Sequence, residues 1–190
     1  WQSCRDNYPA AWCTILNGLS LPTMPEGLIE RMLDREGITG AKRELLLGRY
    51  QERRRQLREM LAQGSVQEIL CLPNPEAVQS GSVKLNLGAE MLEASVSYTP
   101  GEYAEHIAAI RELVNGEKNY HLTLLPQVPF RELQVFTLKD AVAVLRCQEP
   151  YTAFVFKNEI LTRSIFSYCD SLIEQFAADR YTTMQALSNV

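Results

Sequence analysis

Thr99–Leu125, which reads TPGEYAEHIAAIRELVNGEKNYHLTLL, carries the clearest secondary-structure signals in the chain. Thr99 and Glu102 have the spacing of a capping box, and Pro100 occupies the first helical position, so a helix is predicted to begin here. The predicted buried stripe of this helix consists of Tyr103, Ile107, Ile110 and Val114. The β-rich run Tyr120–Leu125, which ends before a proline, predicts a strand directly after the helix.

Three further β-rich runs and a long helix follow this segment. The runs are Leu133–Thr137, Ala141–Arg146 and Thr152–Phe156, and the short turn between the first two favours an antiparallel hairpin. Asn158 has the position of an N-cap for the last helix. The predicted apolar face of that helix contains Leu161, Ile165, Tyr168, Leu172 and Phe176. This order of elements predicts the α/β class, with a mixed β-sheet flanked by helices.

Two amphipathic helices that form a hairpin are predicted upstream of this region. Thr23 and Glu26 have capping-box spacing for the first helix, which should end at Gly37. The second helix is predicted over Gly40–Gln63, with Gly64 as a left-handed C-cap. Its arginines at positions 53, 54, 55 and 58 are interpreted as a solvated face, or as a surface close to DNA or an acidic partner.

The segment that follows the hairpin contains weaker signals. Ser65 and Glu68 have capping-box spacing and favour a short helix, although the apolar residues after them also fit a buried strand. Asn74 and Pro75 indicate a short helix that begins at the proline. The first twenty residues show no clear period and are interpreted as a linker or a short helix.

These predictions divide the chain into three parts. We expect a helical connector over residues 1–63, an α/β sensor or oligomerisation domain over residues 64–182, and a tail over residues 183–190. The chain begins with Trp-Gln-Ser and has no initial methionine or targeting pattern, so it is expected to be a piece of a longer protein.

The composition excludes several classes of protein. The 190 residues include 19 Lys and Arg against 23 Asp and Glu, for a net charge of −4, and 46% of the residues are hydrophobic. Such a chain is too apolar to be disordered, and its acidic balance argues against a broad nucleic-acid-binding face. No apolar run approaches the ~18 residues of a membrane span, so we expect a soluble protein without a membrane partner.

The cysteines and histidines predict neither disulfides nor a metal centre. The five cysteines are widely spaced and never form a CxxC pair, and there are only two histidines. A disulfide scaffold or a zinc site would have a different spacing. The cysteines are therefore interpreted as idle thiols in a reducing cytoplasm. No metal and no cofactor is predicted.

No catalytic motif commits the chain to a reaction, so no catalytic residue is predicted. The candidate ligand-binding residues lie on or after the predicted strands: His121, Arg146, Lys157 and Glu159. A neutral imidazole both donates and accepts hydrogen bonds, and a helix N-terminus after a strand offers N–H donors to an anion. Arg131 and Asp140 are looser candidates in loops. The alternative for each is an ordinary core or surface residue.

The order of several short segments resembles the C-terminal region of bacterial helix-turn-helix transcriptional regulators. The segments are Tyr50-Gln-Glu-Arg-Arg, Gly64-Ser-Val-Gln-Glu-Ile, Thr99-Pro-Gly-Glu-Tyr-Ala-Glu-His-Ile, Asn119-Tyr-His-Leu-Thr-Leu-Leu and Glu159-Ile-Leu-Thr-Arg-Ser-Ile-Phe-Ser-Tyr-Cys. The resemblance covers roughly residues 24–178. It implies a DNA-binding head outside this chain, a helical connector, and a sensor domain similar to half of a phospholipase-D-like fold.

The catalytic signature of phospholipase D is absent from the sequence. That family uses an H-x-K motif, whereas His121-Leu122-Thr123 has threonine where the lysine belongs. Phosphoryl transfer needs a cation to stabilise the developing charge, so the resemblance implies a binding domain without catalysis.

We therefore expect a non-enzymatic regulatory domain of a cytoplasmic bacterial transcriptional regulator. A small-molecule effector would favour one arrangement of the α/β core, and the helical hairpin would transmit that preference to the DNA-binding domain. A homodimer is expected because operators commonly match a two-fold axis. One alternative is a pure oligomerisation module that pairs through the face around Tyr50 and Leu57. A less favoured alternative is a phosphodiesterase-like hydrolase that uses His121.

Overall fold

The α/β class and the mixed sheet flanked by helices are confirmed by the computed structural model of the chain. The structure describes residues 12–85, 96–127, 130, 133–137, 141–146, 152–176, 178 and 180–189. Six strands form one sheet: β1 (Trp12–Asn17), β2 (Val66–Cys71), β3 (Tyr120–Leu125), β4 (Leu133–Thr137), β5 (Val142–Arg146) and β6 (Thr152–Phe156).

The spatial order of the strands is β3-β2-β1-β4-β5-β6. β1, β2 and β3 are mutually parallel, with Trp12 opposite Val66 and Val66 opposite Tyr120. β4, β5 and β6 add to β1 as antiparallel neighbours, and the predicted β4–β5 hairpin is confirmed with Val135 opposite Val144. The sheet therefore has a parallel half and an antiparallel half that meet at β1.

Six helices flank the sheet in the described part of the chain. They are α1 (Leu28–Arg35), α2 (Gly40–Gln63), α3 (Pro75–Gln79), α4 (Pro100–Gly116), α5 (Glu159–Phe176) and α6 (Arg180–Ser188). A 3-10 turn at Leu21–Thr23 connects β1 to α1. The hairpin of α1 and α2 agrees with the prediction.

Each face of the sheet has its own apolar core. On one face, Leu16, Leu70 and Tyr120 of the strands pack in a cluster with residues of α1 to α4 and α6. On the other face, Ile15, Ile69 and Val135 pack with Cys169 and Leu172 of α5. Because side chains alternate across a strand, adjacent residues of β1 and β2 belong to different cores.

β1 corrects the prediction for the N-terminal segment. Trp12–Asn17 was predicted to be linker or short helix, but it pairs with β2 on one side and β4 on the other. Five of its six residues are buried. A strand covered on both faces has no polar alternation, so the sequence showed no period. The prediction of a helical connector over residues 1–63 is therefore wrong for residues 12–17.

The start of α1 is also different from the prediction. The helix begins at Leu28, after Gly27 at a φ of 83°, and Thr23 is not its cap. The Thr23 hydroxyl instead donates to the carbonyl of Ser20 at 2.7 Å. α2 has the predicted bounds, but Gly64 has a φ of −172° and is extended, not left-handed.

The other predicted helix caps are confirmed. The predictions for the segment after Ser65 and for the C-terminal tail differ from the structure. Thr99 and Glu102 form a complete capping box on α4, and the Asn74 and Asn158 side chains cap α3 and α5. Val66–Cys71 is a buried strand, so the short helix favoured after Ser65 is wrong and the strand alternative holds. The tail predicted over residues 183–190 is largely helical, because α6 extends to residue 188 and buries Leu187.

Candidate ligand-binding site

The four candidate residues taken from the sequence are not brought together. His121 is exposed on β3, at one edge of the sheet, and Arg146 lies on β5, four strands away, or ~19 Å at ~4.8 Å per strand. Arg146 is opposite Thr152 at the start of β6, whereas Lys157 follows the end of that strand, ~17 Å further along. Glu159 forms an ion pair with Arg163. Arg131 and Asp140 lie outside the described residues.

A cleft of about 460 Å³, including its open mouth, lies elsewhere, on the face of the sheet that α2 covers. Its floor consists of Trp12 and Leu16 of β1, Gln134 and Phe136 of β4, and Leu145 of β5. These side chains share a face because Thr14 is opposite Phe136 and Gln134 is opposite Leu145. The cleft therefore opens over the junction between the parallel and antiparallel halves of the sheet.

Two segments form the walls of the cleft. Leu19, Ser20, Leu21 and Pro22 supply the turn after β1, and Arg53 of α2 completes the lining. A ligand in the cleft would contact the sheet, the turn and α2 at the same time.

The polar groups of the cleft are mainly hydrogen-bond donors. Trp12 is 6% exposed, and its indole Nε1–H is buried with no hydrogen-bond partner among the described residues. Gln134 is 3% exposed, and its side-chain amide, which can both donate and accept hydrogen bonds, belongs to the lining. Of the described residues that line the cleft, none is acidic. A buried donor without a partner costs about 1–3 kcal/mol, which a ligand that carries acceptors would recover.

Three arginines of α2 have carboxylate partners, whereas Arg53 and Arg58 have none among the described residues. Arg43 pairs with Asp34 at 2.9 Å, Arg54 with Glu26 at 3.3 Å, and Arg55 with Glu52 at 2.7 Å. Over the described ranges, no carboxylate lies within ion-pair distance of Arg53. Much of the basic face of α2 is therefore neutralised within the chain, while the guanidinium at the cleft is available to an external anion.

A buried polar network holds the wall of the cleft in place. The Tyr120 hydroxyl donates to Glu68 Oε2 at 2.6 Å, and the Ser20 hydroxyl is a second donor to the same carboxylate. On its other side, the backbone carbonyl of Ser20 accepts a hydrogen bond from the Thr23 hydroxyl, and Thr23 Oγ1 lies 2.9 Å from the Nε2 atom of His106 on α4. Ser20 therefore connects the turn to β2 and to α4.

The hydrogen bonds of His106 define its tautomer. Thr23 Oγ1 donates to the Ser20 carbonyl, so it can only accept from His106 Nε2, which lies 2.9 Å away. His106 Nδ1 is then unprotonated and accepts from the Tyr98 hydroxyl at 2.8 Å. The neutral ring with its proton on Nε2 satisfies every one of these contacts.

Burial determines the protonation of this network. It lowers the pKa of His106 to about 3, so the ring is neutral at physiological pH. Desolvation raises the pKa of Glu68, while the bonds from Tyr120 and Ser20 act in the opposite direction. His106 is fully buried and Glu68 is 1% exposed. Neither group has the access to substrate that a general acid or base requires, so the arrangement is suited to positioning and binding.

No protein-family model, curated protein or solved structure matches the chain. Within the described ranges, no three histidine, cysteine or acidic side chains are grouped so that they could hold a metal ion. Of the helices described, none has the length and apolar character needed to cross a membrane. Cys13, Cys71 and Cys169 are buried, and none of these three forms a disulfide.

Sequence patterns alone did not identify the residues of this site. Trp12 lies in a segment without a period, and Arg53 was one of four similar arginines. Their proximity depends on strand pairing between β1 and β4, which are more than 115 residues apart. Arg58 also has no ion-pair partner among the described residues, so Arg53 is distinguished from it by its position in the cleft lining, and that property belongs to the folded chain.

Proposed function

We propose that this chain is the non-enzymatic, effector-sensing domain of a cytoplasmic bacterial transcriptional regulator, with its DNA-binding domain outside this chain. The observation that supports the proposal is the position of the cleft between the sheet and α2. Because α2 forms part of the cleft, a bound ligand stabilises one position of this helix and thereby affects any domain that is joined to the helix.

The proposed mechanism depends on differential affinity. α2 has 24 residues and is about 36 Å long at ~1.5 Å per residue. Arg53 lies near its middle, while the cleft floor belongs to the sheet. A ligand that contacts both favours the arrangement in which they are close, and it shifts the population only by its preference for that arrangement. A homodimer would place two such helices on a common axis for a two-fold operator.

A thermal-shift screen of the chain against a metabolite library tests this proposal. A ligand at one hundred times its dissociation constant adds about 2.7 kcal/mol, which raises Tm by about 5–10 °C for a domain of this size. Phe136→Trp adds bulk to the cleft floor and should abolish the shift. Phe166→Trp makes the same change on the opposite face of the sheet and should preserve the Tm shift. Phe166 belongs to α5 and packs against the apolar core between that helix and the sheet.

Two results would contradict the sensor proposal. One is a complete screen in which no metabolite raises Tm. The other is a set of hits that survive Phe136→Trp as well as they survive Phe166→Trp, because those ligands would bind outside the cleft.

A pure oligomerisation module is the second candidate, supported by the edge strand β6. Phe154, Val155 and Phe156 are 52%, 65% and 39% exposed in succession, and β6 carries no charged residue. Edge strands of this kind favour pairing with another chain. The face expected to pair, around Tyr50 and Leu57, is instead buried in the chain's own core. A blank metabolite screen together with a stable dimer by light scattering would favour this candidate.

The hydrolase alternative has the least support. His121 is exposed, and threonine replaces the lysine of the H-x-K motif two residues later. The buried titratable pair of Glu68 and His106 is held by tyrosine and hydroxyl partners and has no open route to a substrate.

A further inference from the structure

The chemistry of the cleft lining restricts the class of ligand that the proposed sensor would accept. Its apolar side chains are Trp12, Leu16, Leu19, Leu21, Phe136 and Leu145. Its polar groups include the Trp12 indole N–H, which has no hydrogen-bond partner among the described residues, together with the Ser20 side chain, the Gln134 amide and the guanidinium of Arg53. Such a lining is complementary to a ligand with an apolar body and a single anionic head.

We infer that the cleft binds an amphipathic organic carboxylate, with its apolar body over the sheet and its head at Arg53. This inference rests on the proposed sensor function and specifies its effector class. A planar guanidinium forms paired, charge-assisted hydrogen bonds with a carboxylate. Among the described residues that line the cleft, none is acidic, which disfavours a cationic or zwitterionic ligand.

A carboxylate ligand also accounts for the position of the Arg53 charge at the opening of the cleft. Arg53 is exposed and therefore keeps its own hydration until a ligand arrives, whereas Trp12 and Gln134 of the same lining are buried. An anion bound at the mouth retains partial contact with water, so its desolvation cost is limited. The apolar tail displaces water from leucine and aromatic side chains, which supplies the hydrophobic part of the affinity.

Fluorescence titration with octanoate tests the inference. A Trp1→Phe background leaves Trp12 as the single tryptophan, and its indole lines the cleft. Octanoate should produce a saturable spectral change, and octanamide, which has the same shape without the charge, should bind at least about tenfold more weakly. Octyl phosphate provides an arm that distinguishes carboxylate from phosphate recognition. Arg53→Gln should weaken octanoate binding by about tenfold or more, consistent with the loss of a charge-assisted pair.

Arg58→Gln is the matched control, because Arg58 is exposed on the same helix but does not line the cleft. It should leave octanoate affinity unchanged. Equal affinity for octanoate and octanamide, or an Arg53→Gln effect no larger than that of Arg58→Gln, would overturn the carboxylate assignment while leaving a ligand-binding cleft. Tighter binding of octyl phosphate than octanoate would overturn it in favour of a phosphate head.

The inference and the proposed function fail in different ways. If octanoate does not bind but the metabolite screen yields hits that Phe136→Trp abolishes, the carboxylate assignment is wrong and the sensor proposal survives. If neither experiment finds a ligand, both are overturned.

Discussion

At the scale of single residues, His106 has an environment far from that of a free side chain. It is buried, its two ring nitrogens contact Thr23 and Tyr98, and burial lowers its pKa to about 3. In the unfolded chain the same ring has a pKa of about 6.5. The folded state therefore binds fewer protons than the unfolded state between these two values, and acidification must weaken folding.

Replacement of His106 by asparagine should remove this pH dependence. In the wild type, the contribution of His106 is fully present above pH ~6.5 and is lost at about 1.4 kcal/mol per pH unit as the pH falls toward ~3. Urea unfolding of the wild type and His106→Asn between pH 7.5 and 4.5 measures the difference. The advantage of the wild type over the variant should shrink on acidification.

His121→Asn is the control for this prediction, because His121 is the other histidine of the chain and is exposed. It should leave the pH slope close to that of the wild type. Glu68 has the opposite sign: its pKa is raised, so its contribution is present below ~4.5 and is lost as the pH rises. Glu68→Gln should therefore become more favourable relative to the wild type at higher pH. Equal pH slopes for wild type and His106→Asn would contradict the assignment of a neutral, buried ring.

At the scale of secondary-structure elements, the features that were predicted correctly from the sequence are those that depend on neighbouring residues. The α4 capping box, the asparagine caps of α3 and α5 and the β4–β5 hairpin all involve residues close in sequence, and all were predicted. Thr23 is three residues before a glutamate, as Thr99 is. However, the Thr23 hydroxyl hydrogen-bonds to the Ser20 carbonyl and to His106, which is 83 residues away. A local pattern cannot reveal a distant competitor for the same side chain.

The two threonine N-caps provide a test of this distinction. The Thr99 side chain accepts a hydrogen bond from the Glu102 backbone N–H, whereas Thr39, the N-cap of α2, makes no side-chain cap bond. Thr99→Ala should lower the free energy of unfolding by about 1 kcal/mol, the typical cost of a lost N-cap. Thr39→Ala should cost less than half as much. Equal losses in urea unfolding would show that the α4 cap does not contribute as its geometry indicates.

At the scale of the whole molecule, the cleft is assembled from segments that are distant in sequence. The strand β1, the turn after it, α2, β4 and β5 all contribute lining residues. The sequence predicted the α/β class and most of these elements, but not the central position of β1. Without that strand, Trp12 and Phe136 cannot be placed on a common surface, so the predicted site was assigned to His121 and Arg146 at separate places on the sheet.

The proposal with the greatest functional consequence is that a ligand in this cleft acts on α2. Hydrogen–deuterium exchange across residues 40–63, with and without saturating octanoate, tests it most directly, with binding verified by Trp12 fluorescence in the same sample. Exchange around Arg53 should slow in the wild type and in Arg58→Gln, and should not change in Arg53→Gln. Octanoate that is bound in the cleft but leaves the exchange of α2 unaltered would contradict it, because the site would then bind without signalling.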